Sequence, residues 1–410
     1  MAKTIAVIGT LDTKGDQIKY IKEKIEGKGH KPLVIDVGVL GQTPFEPDIT
    51  KNLVAEAAGT TIEDVAAMGP QREADAIMTM AKGVRALLND LNKKGEIDGV
   101  LAAGGSLGTS LALEAISDLP FAMPKIILST VANSPAINPD QVANNVVMVL
   151  WAGGLWGINT FGKSLLDQAA AMIIGSAEAY ERDTTTDRKV IGVTSLGMNA
   201  TRFLFHLRPA LMERNYEVAV FHATGMSTRA FEKAVESRSF DFVLDFQAGQ
   251  ELVSEICGSL FSPGPKRLEA AAKSGVPQIV SLGMQEMEMC LWGSYKPIPE
   301  HMVDRMTFIH NPILSVIFTN LEEKVNMARL LAKKLNEASG PVTLIVALKP
   351  SLGVTKWVPG SAENMEAVRR ELRANLKSTV RYEEVNCSTD DKEFSDRVLE
   401  IMDEMMDAVK

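Results

Sequence analysis

Short runs of β-branched residues alternate along this chain with longer stretches in which apolar residues recur every three or four positions. That rhythm predicts strands followed by crossover helices. TIAVIGT, from Thr4 to Thr10, reads as a buried strand ending at a glycine, and LDTKGDQIKYIKEKIEGKG as a polar turn and an amphipathic helix with Ile18, Ile21 and Ile25 on one face. Gly27 and Gly29 close that helix, and HKPLVIDVGV supplies a second strand ending near Asp36. This is a βαβ unit, whose parallel strands demand a right-handed crossover and a sheet covered by helices. Gln42 to Pro70, rich in proline, threonine and acidic groups, reads as an excursion over the sheet edge.

The stretch Asp98 to Ser110, DGVLAAGGSLGTS, is a third strand turning through glycines into the helix LGTSLALEAISDL. Gly104 and Gly105 permit a tight turn with outward N–H groups, and Ser106, Thr109 and Ser110 add hydroxyls at the positive end of the helix dipole. Two readings stand at this point: a strand-to-helix turn with no ligand, and a cradle for phosphate or carboxylate. MPKIILSTV is a further parallel strand that brings Ser129 and Thr130 beside Thr10. Thr10, Asp12, Thr13 and Lys14 sit at the carboxyl end of the first strand, where open α/β sheets bind ligands. Lys14 is either a phosphate counter-charge or a solvated lysine, and Asp36 stands where an acid meets a ribose hydroxyl in dinucleotide folds. Neither GTLDTKG nor the glycine turn is a Walker A loop or a Gly-x-Gly-x-x-Gly loop. VVMVLWAGGLWGINTFGKSLLDQAAAMIIGSAEAYE reads as strand, loop and long helix; Asn159 is placed to face the same pocket, and the pair Trp151 and Trp156 reads as core or interface rather than as a stacking platform.

ERDTTTDRK, from Glu181 to Lys189, is a polar link between apolar elements and marks a domain boundary, with an N-terminal domain over 1–183 and a C-terminal one over 184–410. The plan then repeats: KVIGVTSLG and YEVAVFHATG echo the first βαβ unit, and FDFVLDFQAGQ and VPQIVSLG echo DGVLAAGG and MPKIILST. The second copy lacks the glycine cluster. The fold expected is α/β, two Rossmann-like, doubly wound subdomains of mostly parallel sheet with a cleft between them. His222, Glu286 and His310 fall near strand ends of the second half, where a histidine and a carboxylate in reach of each other would suffice for acid–base work; the plainer reading has the histidines tying loops together. Pro312 to Leu335 reads as one long helix.

Composition narrows the function classes. A chain of 410 residues, 46% hydrophobic and with net charge -9, has ample core and no basic surface for wrapping nucleic acid or coating an acidic membrane. Cys257, Cys290 and Cys387 are far apart and odd in number, which points to a reduced, cytoplasmic setting, and no His or Cys pair has metal-ligand spacing. The apolar run VVMVLWAGGLWGI is too short and glycine-rich to span a bilayer.

Several segments in one order make the chain resemble the Tm-one-like ATP-binding domain family: GTLDTKGD, DGVLAAGGSLGTSLA, PKIILSTVA, VAVFHATG, GPKRLEAAAKSGVPQIVSLG, HNP and KLNEASGPV. The resemblance implies two Rossmann-like subdomains, ATP on the N-terminal one with or without Mg2+, and a homodimer. By match to the family's motifs, Thr10, Asp12, Thr13, Lys14, Gly104, Gly105, Ser106, Gly108, Thr109 and Thr130 would line the nucleotide pocket. The chain departs from the family where Leu107 replaces a glycine, where Ser227 to Arg229 replace a Gly-Gly pair, and around Gly153 and Gly154, where an acid is lost while Asn159 is kept. Two functions follow as expectations. One is a nucleotide-binding protein that closes on a partner, a separate TIM-barrel protein being the partner that fusions in the family suggest. The other is an enzyme acting on a small carboxylic acid in the cleft with His222, Glu286 and His310.

Overall fold

Strands apolar on both faces need helices above and below, and the computed structural model provides them. It describes residues 1–142, 145–152, 156–182, 187–197, 202–283, 289–293, 296–350 and 361–408. The chain divides into two units, Met1–Thr185 and Thr186–Lys410.

In the first unit β1 (Thr4–Gly9), α1 (Leu11–Glu26) and β2 (Lys31–Asp36) form the expected βαβ. There follow α2 (Lys51–Ala57), α3 (Ile62–Ala66), α4 (Glu73–Lys93), β3 (Gly99–Gly104), α5 (Ser106–Ala115), β4 (Lys125–Ser129), β5 (Val147–Leu150) and α6 (Thr160–Ala179). The five strands are all parallel in the order β2-β1-β3-β4-β5. Ile8, Met80 and Val84 belong to the core on one face, and Val7, Ile18, Ile21 and Ile173 to the core on the other. The segment from Gln42 to Pro70 does meet the sheet edge, through a single parallel bridge from Ile49 to Ile35. It is otherwise largely helical, because Thr50 and Thr61 cap α2 and α3 and Val54, Ile62 and Val65 enter the core.

Lys125 opens β4 at the amino end of the sheet. Its ammonium is buried and donates to the carbonyls of Pro120 at 2.6 Å and Met123 at 2.8 Å, and burial pushes its pKa down to about 7.

The second unit winds the same way. Its elements are β6 (Val190–Ser195), α7 (Phe203–Glu213), β7 (Glu217–His222), α8 (Met226–Glu236), β8 (Phe242–Asp245), α9 (Ala248–Cys257), α10 (Glu269–Ser274) and β9 (Gln278–Val280). An antiparallel insertion of β10 (Met289–Gly293), β11 (Thr307–Asn311) and β12 (Leu314–Phe318) follows. Then come α11 (Leu321–Leu335), β13 (Val342–Ala347), α12 (Ser361–Asn375), β14 (Arg381–Val385) and α13 (Lys392–Ala408). The parallel sheet runs β14-β13-β9-β8-β6-β7, so the five strands from β6 to β13 repeat the first unit's order and β14 adds a sixth. The expected helix from Pro312 to Leu335 is corrected: its first part is β12, and the helix starts only at Leu321. A capping box sets that start, with Asn320 Oδ1 accepting from the Glu323 N–H and Glu323 Oε2 from the Asn320 N–H, each at 2.9 Å.

Candidate functional site

The order β2-β1-β3 creates a switch point. The chain leaves β1 toward one side of the sheet and β3 toward the other, and the crevice beyond their carboxyl ends is where such sheets hold ligands. The turn after Gly9 and the turn at Gly104 rise from neighbouring strands, about 4.8 Å apart, with Ile8 level with Ala102. Both turns come from the segments singled out above.

The first turn is built on two acids, buried Asp36 and half-buried Asp12. Asp36 Oδ1 accepts from the N–H groups of Leu11 at 3.0 Å and Gly38 at 2.8 Å, fastening the end of β2 to the start of α1. Its Oδ2 is buried with no partner, and desolvation raises the carboxyl's pKa. Asp12 Oδ2 accepts from Leu40 at 3.3 Å and Gly41 at 3.1 Å, so this acid also binds backbone. Thr10 and Thr13 share a hydroxyl hydrogen bond of 2.7 Å at the surface. Lys14 breaks the helical path (φ -125°, ψ 15°), and α1 continues beyond it. Its ammonium lies 3.2 Å from the Thr13 carbonyl and 5.5 Å from the centroid of the Trp156 ring, and burial lowers its pKa. Among the described residues no carboxylate is within salt-bridge distance of it, so its charge is available to an anion.

The second turn is bare backbone. A Cβ on Gly104 would fall 2.8 Å from Gly108 Cα, so the strand end and the first turn of α5 touch backbone to backbone. Gly105 is the N-cap residue and contributes no side-chain bond, which leaves the first-turn N–H groups of Ser106, Leu107 and Gly108 without a cap. Ser106 is exposed. Leu107 is partly buried and packs against the core. Thr109 points inward, its hydroxyl 2.8 Å from the Gly105 carbonyl and 2.7 Å from Ser129 Oγ, so it braces the turn. The Thr130 N–H donates to the Gly104 carbonyl at 3.3 Å. Asn159 caps α6, accepting from the Gly162 N–H at 2.9 Å.

Two more residues belong here, Trp156 and Gln17. Trp151 is core, whereas Trp156 is 86% exposed beside Lys14, so the core half of the expectation holds for Trp151 and not for Trp156. Gln17 is buried on α1 and donates from Nε2 to the Gly157 carbonyl at 3.0 Å, holding the Trp156 segment against α1. Only the (i, i+3) spacing of Lys14 and Gln17 hinted at this.

At the switch point of the second unit the described residues form a buried charge cluster. Thr194 is level with Asp245, and buried Arg267 fills the space with charge. Its guanidinium grips Asp245 bidentately at 2.5 and 2.6 Å, Glu251 at 2.9 Å and Glu232 at 3.0 Å. Thr228 and the Gly225 N–H donate to Glu251, and the Leu268 and Ala270 N–H groups donate to Glu232. Desolvation pushes Glu232 and Glu251 upward, with Arg267 opposing it. His222 is exposed at the end of β7, and His310 is exposed at the bulge of β11, on a different sheet, with no hydrogen bond between them. Glu286 lies outside the described residues.

Family profiles match both units: the N-terminal domain of the uncharacterised protein family UPF0261 over residues 3–182, and its C-terminal domain over 188–406. A UPF0261 protein of Brucella melitensis is 38% identical over 97% of this chain and 94% of its own length. One of Clostridium tetani is 33% identical over 96% and 97%. The ToMV resistance protein Tm-1 of Solanum lycopersicum is 28% identical over 91% of this chain and 52% of its own.

Proposed function

For a chain that belongs to the UPF0261 family, we propose binding of a nucleoside polyphosphate, ATP, at the carboxyl edge of the first unit's sheet. The observation that carries this is the pairing of a helix start without a side-chain cap, behind Gly104 and Gly105, with a lysine on the adjacent strand's turn that has no salt bridge among the described residues. Backbone N–H groups of Ser106, Leu107 and Gly108 would hold phosphate oxygens, aided by the α5 dipole, and the Lys14 ammonium would neutralise them. Thr10 and Thr13 offer hydroxyls at the rim, and the spare oxygen of Asp36 would take a ribose hydroxyl if β2's following loop moves aside. If Mg2+ accompanies the nucleotide, the phosphates supply its first ligands. The resemblance to the Tm-one-like family supports the same ligand.

The test is thermal melting with ATP, with and without Mg2+, on the native chain and on Lys14→Ala. ATP should raise the melting point of the native protein. Losing one charge-assisted contact should weaken its affinity by roughly 10- to 100-fold. An equal shift in both proteins would remove Lys14 from the site, and no shift in the native chain would remove the nucleotide.

A further inference from the structure

We infer that Trp156 is the platform on which the base of the nucleotide stacks, which would make the site selective for a purine over a bare polyphosphate. The inference rests on the nucleotide reading above and adds to it a specificity residue.

Large aromatic side chains are among the costliest groups to leave in water, and the other placed tryptophans of this chain, Trp151 and Trp292, are buried. Trp156 is the exception at 86% exposed. Its position is nevertheless fixed from two sides. Gln17 Nε2 anchors the adjacent Gly157 carbonyl at 3.0 Å, and the Lys14 ammonium stands 5.5 Å from the ring centroid, within cation–π range. An indole tethered to α1 and presenting an open face beside the one lysine of the phosphate cup has the makings of a stacking surface. Base–aromatic stacking is worth enough to matter, and an indole serves every purine because each has a π-face.

The same geometry sets a competition. Among the described residues the Lys14 ammonium meets the Thr13 carbonyl and the indole, with the Asp12 charge acting on it from further off. Phosphate oxygens draw the ammonium away, since a charge-assisted hydrogen bond is stronger than a cation–π contact. The ring is then released to the base, so phosphate capture and base stacking favour each other.

The experiment compares ATP with inorganic tripolyphosphate on the full chain, using calorimetry and intrinsic fluorescence, for the native protein, Trp156→Ala and Trp156→Phe. Native protein should bind ATP more tightly than tripolyphosphate. Trp156→Ala should lose roughly tenfold or more in ATP affinity while tripolyphosphate affinity stays level or improves, and Trp156→Phe should recover most of the loss. The ATP-induced fluorescence change should be absent from both variants. Equal loss for both ligands would make Trp156 a structural support and overturn the inference, as would unchanged ATP affinity in Trp156→Ala. Native protein that binds tripolyphosphate as well as ATP would overturn the platform while leaving the phosphate cup intact; binding of neither would overturn both.

Discussion

Replacing Arg267 with methionine tests the charge network that fills the second unit's switch point. Methionine keeps much of the volume and removes the cation shared by Asp245, Glu251 and Glu232. Its loss leaves one more buried carboxylate without a counter-charge, and the cheapest remedy is for a glutamate to take a proton. From an ordinary carboxyl value of 4.5, neutralisation costs about 1.4 kcal/mol for each pH unit. That amounts to about 3.4 kcal/mol at pH 7 and about 0.7 kcal/mol at pH 5. The neutral-pH figure agrees with the ~3–5 kcal/mol found when one partner of a buried ion pair is removed. The sign follows from linkage: Arg267 opposes the upward push of desolvation on both glutamates, so without it a glutamate's folded-state pKa rises further above its unfolded value, and the variant loses stability relative to the native chain as pH climbs above that unfolded value. Arg267→Met should therefore be far less stable than the native chain at pH 7 and close to it at pH 5. Urea unfolding followed through Trp292, which is buried in the second unit, reads both. A cost below about 1 kcal/mol at pH 7, or one that does not change with pH, would refute the reasoning.

Two further substitutions probe the first unit. Gly104→Ala puts a methyl group 2.8 Å from Gly108 Cα, where only backbone can yield; it should cost about 1–3 kcal/mol in chemical denaturation and abolish the ATP-induced melting shift. Lys125 has a folded pKa of about 7 against an ordinary 10.5, so the folded chain holds fewer protons than the unfolded one between those values and should gain stability as pH rises through that window. The gain should vanish in Lys125→Met. A melting-temperature difference between the two proteins that is flat with pH would show that the Pro120 and Met123 carbonyls keep the ammonium charged.

Much of the architecture was legible because it depends on local chemistry. Runs such as TIAVIG and VIGVTS are β-branched and bounded by turn residues, and their recurrence announced a repeated winding that the common strand order bears out. The antiparallel insertion was not legible as a sheet. Phe308 to Phe318 is short, interrupted by Pro312 and continuous with a strong helix, although the Asn320 and Glu323 pair marks where that helix begins. At the site, spacing revealed which turns lie at strand ends but not which way their side chains face. Thr109 looked like a ligand donor because a hydroxyl follows glycines; its inward rotation depends on Ser129, twenty residues away. Nothing local ties Arg267 to Asp245 either, since their meeting requires the sheet to place β8 beside the loop before α10.

The backbone contact between Gly104 and Gly108 has a consequence for how this protein could diversify. With no side chain in that contact, its closeness depends on the two glycines, while exposed Ser106 between them can vary without entering it. Substitution there can therefore alter the chemistry of the turn's outer surface and keep the peptide dipoles aimed as before.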